Sequence, residues 1–484
     1  MHVHVYDKLF IGGQWCAPSG TDVIEVRSPY DLKPVGSVPQ ATNADVDAAV
    51  SAARSAFDSG VWSQMPAADR IAALERLLGL LTARSDELAD LQTAEMGAPT
   101  SFSRAVYGPA PVGVLAATIA TAKSTEWEER RPGISGLDIV VRREPVGVVG
   151  AIVPWNSPLF SLMGKLAPAL AAGCSVVAKP SPETPLDANV FAELTVEAGI
   201  PEGVISVLPG GRDLGRHLVG HPGIDKVAFT GSTAAGREIA ATCGQHLKRV
   251  SLELGGKSAA IILDDADLDL VTPGLKFGSL ANSGQACIAQ TRILAPRSRY
   301  DEVVDAIGTM MAGLVVGDPF DPATEVGPLV SQRQQERVKS YIQVGIDEGA
   351  RLVTGGLDPY SDKPAGWFVR PTLFADVDNS MRIAREEIFG PVLVVIPYED
   401  EADAVRIAND SDYGLAGSVW TSDAERGIDI GRRIRTGTFG VNHYLMDFNA
   451  PFGGMKASGL GREMGPEGLS EYFEYKSITP PPTA

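Results

Sequence analysis

Histidine and cysteine are scarce in this chain: six and four among 484 residues. The histidines (His2, His4, His217, His221, His246 and His443) are too scattered to be read as a metal cluster or a local Cys–His pair, so no metal is expected. Cys16, Cys174, Cys243 and Cys287 are too few for a disulfide framework at this length, which favours a reduced, cytoplasmic setting. Positive charge is also short, with a formal net charge of −18, which argues against a nucleic-acid-binding surface. The first residues lack the basic and apolar stretches of a secretory signal. No uninterrupted apolar run approaches the ~18 residues of a membrane span. The longest candidate, Val112–Ala122, is broken by Gly113 and preceded by Pro109 and Pro111. A soluble enzyme with neither membrane nor nucleic acid as partner is the class left.

What the chain does have is alternation. The front is helix-rich: Val46, Ala49, Val50, Ala53 and Phe57 keep helical spacing, as do Ile71, Leu74, Leu77, Leu78 and Leu81, after a hairpin expected over residues 9–15. From Val146 short Val/Ile runs (146–153, 175–178, 204–208, 226–229, 249–254) alternate with helical stretches (159–172, 185–198, 213–220, 234–243). That rhythm predicts a parallel sheet covered on both faces, which binds ligands beyond the carboxyl ends of its strands. A second series follows, with strands over 259–263, 291–295, 392–397, 417–420 and 438–441. Helices are expected over 300–313, 334–348, 401–409 and 424–435. The fold class is therefore α/β, with two doubly wound domains.

Two strings carry chemistry. Asn282-Ser283-Gly284-Gln285-Ala286-Cys287 puts one thiol at the end of a loop of small and amide side chains. Glu253 stands 34 residues earlier, between two leucines in Leu252-Glu253-Leu254-Gly255-Gly256-Lys257. A lone cysteine is more often a small buried hydrophobe, but a carboxylate among leucines has a pKa tuned by burial. Together they suggest a nucleophile and a general base for covalent acyl chemistry. A glycine loop, Gly231-Ser232-Thr233-Ala234-Ala235-Gly236, follows the strand ending Phe229-Thr230 and opens a helix whose amides face outward to a pyrophosphate. In isolation it would be read as a tight strand-to-helix turn. The order and spacing of these strings, across nearly the full chain, resemble the aldehyde dehydrogenase superfamily.

That resemblance implies the following. Cys287 attacks an aldehyde carbonyl; Asn156 and the Cys287 backbone N–H hold the oxyanion; hydride passes to NAD; Glu253 activates water to release a carboxylic acid. Lys165 and Glu463 support the proton path. The cofactor residues would be Ile152, Pro154, Trp155, Lys179, Gly211, Gly215, Phe229, Thr230, Gly231, Ser232, Leu254, Glu387 and Phe389. Many NAD-preferring relatives carry Glu where this chain has Pro182, which leaves NADP open; with no extra Arg or Lys nearby in sequence, NAD is favoured. Residues 1–122 and 146–255 would form the dinucleotide-binding domain and 256–455 the catalytic one. Residues 123–145 and 470–484 would join subunits into a homodimer or homotetramer by edge pairing of strands, near 136–146 and 472–478.

Relatives acting on small aldehydes line the tunnel after the Pro-Trp-Asn string with aromatic rings. Here Ser157, Ser161 and Gly164 are small and Phe160 remains. Ala286, Ile288, Met446 and Phe452 complete the expected pocket. A wide pocket favours bulky apolar aldehydes, at ~0.8 kcal/mol per buried methylene. Two other readings are a CoA-acylating dehydrogenase, which usually lacks a glutamate at position 253, and a catalytically silent member, against which Cys287, Glu253 and Asn156 argue.

Overall fold

The computed structural model describes residues 3–481 except 135, 362 and 364. His2 and the last three residues of the C-terminal segment therefore lie outside the described residues.

The valine-rich runs from 146 onward form the centre of an eight-stranded sheet. Val148–Ile152, Ser175–Lys179, Ile205–Val207, Lys226–Thr230 and Arg249–Glu253 all run parallel. Their spatial order places the fourth and fifth strands beside the first, on the side away from the second and third. The winding direction reverses between Val148–Ile152 and Lys226–Thr230, which opens a crevice past their carboxyl ends. Helices on both faces explain why Val148–Ile152 and Ser175–Lys179 are buried at every position. The opening hairpin, Leu9–Ile11 and Gln14–Cys16, extends this sheet at one edge.

The opposite edge is closed from far along the chain. Gly459–Leu460 pairs antiparallel with Arg249–Glu253, setting Gly459 opposite Glu253. Gly459 has φ 147, and a Cβ there would lie 2.0 Å from the Leu252 carbonyl oxygen, so only glycine admits this close approach. The segment after 455 thus returns to the first sheet rather than ending with the second unit.

The second sheet has seven strands, in the order Arg351–Thr354, Thr372–Ala375, Val392–Tyr398, Arg292–Pro296, Ala259–Ile262, Gly417–Trp420 and Gly440–Val441. All pairs are parallel except the first. A third sheet joins Glu128–Pro132, Asp138–Pro145 and Phe473–Ile478, with the C-terminal strand at one edge and mostly exposed.

The apolar stretch near 112–122 differs from expectation. Gly113 does not break it: the helix Pro109–Ser124 runs through that glycine, with Pro109 and Pro111 in its first turn. A π turn, Ser103–Tyr107, precedes it, so residues 100–124 are continuously helical. Among the described residues this is the one helical run long and apolar enough to cross a membrane by length and composition. Here one face packs in the core through Val114, Leu115, Ile119 and Ala122, and its first turns wall a cavity.

Candidate active site

A cavity of about 760 Å³ lies at the crevice past the reversal of the first sheet, closed on its far side by the second unit. Cys287, Asn156, Glu253 and Glu463 all line it.

The loop carrying Cys287 is held by the polar side chains that precede it. Asn282 and Ser283 have φ of 49 and 57, a left-handed turn that most residues avoid. Asn282 Nδ2 donates to the Asn156 carbonyl at 3.2 Å, Ser283 Oγ to Gly327 O at 3.0 Å, and Gln285 Oε1 accepts from Val330 N at 3.0 Å. A Cβ on Gly256 would stand 2.4 Å from the Cys287 carbonyl oxygen, so the glycines after Glu253 let the two strings touch. Burial first, then the carboxylates of Glu387 and Glu253, push the Cys287 thiol up to about 12; backbone N–H groups of Ile288 and Cys287 oppose this. At neutral pH the thiol therefore keeps its proton until a base takes it.

Asn156 ends the loop after strand Val148–Ile152. Its Nδ2 donates to Gln285 O at 2.9 Å, and Tyr107 Oη donates to its carbonyl at 2.7 Å. The bond to Gln285 orients the amide group, which lines the cavity together with Cys287.

Glu253 is 4 % exposed, and neither carboxylate oxygen has a hydrogen-bond partner among the described residues. Burial, and after it the charge of Glu463, hold its pKa well above the usual carboxylate range, against the pull of Lys165 and Arg462. Sequence alone left Lys165 open to being an ordinary surface ion pair, but it is wholly buried and donates to Glu463 Oε1 and Thr230 Oγ1, each at 2.5 Å. Met464, next to Glu463, has φ 62 and ψ 166, a strained backbone of the kind held at functional sites.

Of the positions expected to hold a cofactor, Pro154, Trp155, Thr230, Gly231, Ser232, Leu254, Glu387 and Phe389 face the cavity. The Ser232 hydroxyl caps the helix Thr233–Gln245 by accepting from Ala235 N, so the helix opens at Gly231-Ser232. The Phe389 ring meets Trp155 edge-on, with centroids 5.3 Å apart. Glu387 lies against the Gly255–Gly256 turn and accepts from Gly256 N at 3.0 Å. Ile152, Lys179, Gly215 and Phe229 stand behind this wall, buried, with partly buried Gly211 just beyond them. Lys179 Nζ donates to the carbonyls of Gly210 (2.7 Å) and Pro180 (3.1 Å), and its stem crosses Gly215; burial pulls it down to about 8.

Two expectations need correction. Gly164 does not reach the cavity: a Cβ there would meet Glu463 Oε2 at 2.8 Å, so its smallness makes room for that carboxylate and not for substrate. The absence of a cation near Pro182 holds only along the chain. Folding brings Arg333 to within 3.1 Å of Glu183, and Arg212, Arg333 and Arg337 all line the same end of the cavity.

Ser157, Phe160, Ser161, Ala286, Ile288, Met446 and Phe452 line the other end. So do residues that sequence reasoning passed over: Phe102, Val106, Tyr107, Ala110, Phe277 and Phe448. For the residues of the helix Pro109–Ser124 the apolar run near 112 was the available signal, discounted because Gly113 interrupts it and two prolines precede it.

With this geometry in place, comparison with known proteins decides the family. The model for the aldehyde dehydrogenase family matches residues 15–478. The chain belongs to the aldehyde dehydrogenase family. Geranial dehydrogenase of Castellaniella defragrans is 51% identical over 473 residues, 98% of each chain. This aldehyde dehydrogenase also superposes with a TM-score of 0.97 on a Mycobacterium tuberculosis aldehyde dehydrogenase complexed with NAD+, 52% identical with 99% of each chain covered. Aldehyde dehydrogenase C of Pseudomonas syringae, solved with NAD+ and octanal, is 40% identical, with a TM-score of 0.94 and 98% of this chain and 96% of that one covered. The chain is thus an oxidoreductase that acts on aldehydes.

Proposed function

We propose that this enzyme oxidises bulky apolar aldehydes to carboxylic acids with NAD, using Cys287 as nucleophile, Asn156 as oxyanion donor and Glu253 as general base. One observation carries the reading: these three groups face a single cavity that is also lined by many apolar side chains, among them Phe102, Phe160, Phe277, Ile288, Met446 and Phe448. The relatives named for geranial and solved with octanal support an apolar substrate. The residues present fit a dinucleotide, because a capped helix N-terminus at Gly231-Ser232 and an orienting pair, Trp155 and Phe389, face one end of the cavity at the sheet's reversal.

Glu253 takes the Cys287 proton, and Sγ forms a bond to the aldehyde carbon. Negative charge develops on the aldehyde oxygen, where the Asn156 side-chain amide and the Cys287 N–H receive it. When bound, the nicotinamide supplies the hydride acceptor that takes the adduct to a thioester. Glu253 then removes a proton from water as it attacks the thioester, the carbon–sulfur bond breaks, and acid leaves. Before water attacks, Glu253 gives up the Cys287 proton toward solvent by way of Glu463 and Lys165, and the proton it then takes from water leaves by the same route.

Residues 1–122 with 146–255 would serve as the dinucleotide-binding domain, 256–455 as the catalytic one. The exposed Phe473–Ile478 edge fits pairing with a second copy in a dimer or tetramer. Four unpaired thiols suit a reducing, cytoplasmic setting. The test is a kcat/KM series from acetaldehyde through octanal, benzaldehyde and citral, on wild type and Cys287→Ala. Bulky aldehydes should lead, and the variant should lose roughly 10³-fold or more. Acetaldehyde leading, or substantial turnover by the variant, overturns the reading.

A further inference from the structure

The apolar end of the cavity is lined by both small residues and rings. Helices contribute Ala105, Ala110, Gly278 and Ala281, whereas the loop after Val441 contributes Tyr444, Met446 and Phe448. Phe448, from that loop, lies against a glycine of the helix Pro109–Ser124. Gly113, in Pro109–Ser124, has no side chain, and a Cβ there would lie 2.5 Å from Phe448 Cε2 and 2.7 Å from Cδ2. The helix is otherwise well formed at that position, where glycine costs roughly 1 kcal/mol against alanine, so the missing methyl is a notch that the ring fills. Phe448 also meets Phe160, with ring centroids 6.0 Å apart at 48°.

We infer that Phe448, drawn back into the Gly113 notch, sets the width of the substrate channel and admits methyl-branched and ring-bearing aldehydes. The inference rests on the aldehyde reading above. A methyl group at 113 cannot share the space with the ring. The backbone of a packed helix yields less readily than a side chain on a loop, so the ring moves, and its other neighbours are Phe160 and the cavity. A narrowed channel still passes an unbranched alkyl chain but excludes a branch or a ring. Specificity at this end is then a matter of channel width, where small changes in fit typically alter rates by about ten- to two-hundredfold.

The test compares hexanal with citral and benzaldehyde in wild type, Gly113→Ala, Phe448→Ala and the double variant. Melting temperature and NAD affinity, read by fluorescence titration, check that each variant folds and binds cofactor. Gly113→Ala should lower kcat/KM for citral and benzaldehyde at least about tenfold relative to hexanal. Adding Phe448→Ala should restore the wild-type ratio, because the clash is removed. Equal effects on all three aldehydes, no loss for the wide ones, or no rescue in the double variant would each overturn the inference. If Gly113→Ala misfolds, Phe448→Ala alone decides: it should raise wide-substrate kcat/KM relative to hexanal, and an unchanged ratio refutes the assignment. A wild type that prefers acetaldehyde would defeat the apolar-substrate proposal instead, whereas the width inference is judged on the ratio within each variant.

Discussion

At the scale of single residues the site is a balance of burial against charge. Burial raises the pKa of Glu253 above the ordinary carboxylate range, yet the proposed reaction needs it as a base. Its raised pKa means it gains base strength only as pH climbs above the ordinary carboxylate range, so kcat is expected to rise with pH through that region. Glu253→Gln should flatten that rise and stall hydrolysis, giving a burst of NADH, little turnover, and an acyl adduct on Cys287 by intact-mass measurement. Normal steady-state turnover in the variant would remove Glu253 from its role. Cys287 and Glu253 were legible in sequence because their neighbours are so unusual for a loop thiol and a strand carboxylate. Gly164 was misread because smallness has two uses, to widen a channel or to admit a neighbour, and only the position of Glu463 tells them apart.

Among elements, the alternation of valine-rich strands and helices was readable in the first sheet, where buried parallel strands leave continuous apolar runs, whereas in the second sheet the short buried strand Thr372–Ala375 was missed. What else escaped were elements with a disguised pattern. Leu268–Leu280 contains Pro273, Pro109–Ser124 opens on two prolines, and Arg351–Thr354 is a short, half-exposed edge strand. The Arg333–Glu183 pair escaped for another reason, as it joins the helix Gln332–Asp347 of the second unit to the loop after Lys179 in the first. Beside Pro182 this pair offers a partly exposed guanidinium to a 2′-phosphate. Wild type is expected to favour NAD modestly, Pro182→Glu to sharpen that preference, and Arg333→Ala to weaken NADP use roughly tenfold, the worth of one charge-assisted hydrogen bond. Kd values for NAD and NADP, measured by titration, check this. An unchanged NADP affinity in Arg333→Ala would mean the arginine does not meet the phosphate.

For the whole molecule, three helices meet at two buried acids. Asp187 Oδ2 accepts from Leu159 N at 3.0 Å, at the start of the helix after Asn156, and Glu95 Oε1 accepts from Leu186 N at 2.9 Å. Burial raises Asp187 to about 7, and burial, then the charge of Asp187, raises Glu95. The unfolded chain releases these protons near pH 4, whereas the folded one holds the Asp187 proton to about 7. Stability should therefore fall as pH rises across that window, by on the order of a few kcal/mol. Asp187→Asn keeps the acceptor for Leu159 and is expected to reduce the fall in melting temperature between pH 5 and 8.5. A slope unchanged in the variant would place the pH response elsewhere.

The pairing of Gly459–Leu460 with the strand that carries Glu253 also sets an order of events during synthesis. Chains are made from the N-terminus at roughly 5–20 residues per second, and domains fold largely as they emerge. Arg249–Glu253 leaves the ribosome long before residue 459 is translated, so its outer edge waits while the whole second unit is built. Until the tail arrives, the Glu253 strand lacks its neighbour and Lys165 lacks Glu463. A nascent chain, or one cut short before residue 459, thus already carries Cys287 yet leaves the outer edge of the Glu253 strand unpaired. Gly459–Leu460 is thus a late-arriving edge, and the surroundings of Glu253 are set only after the second sheet has been made.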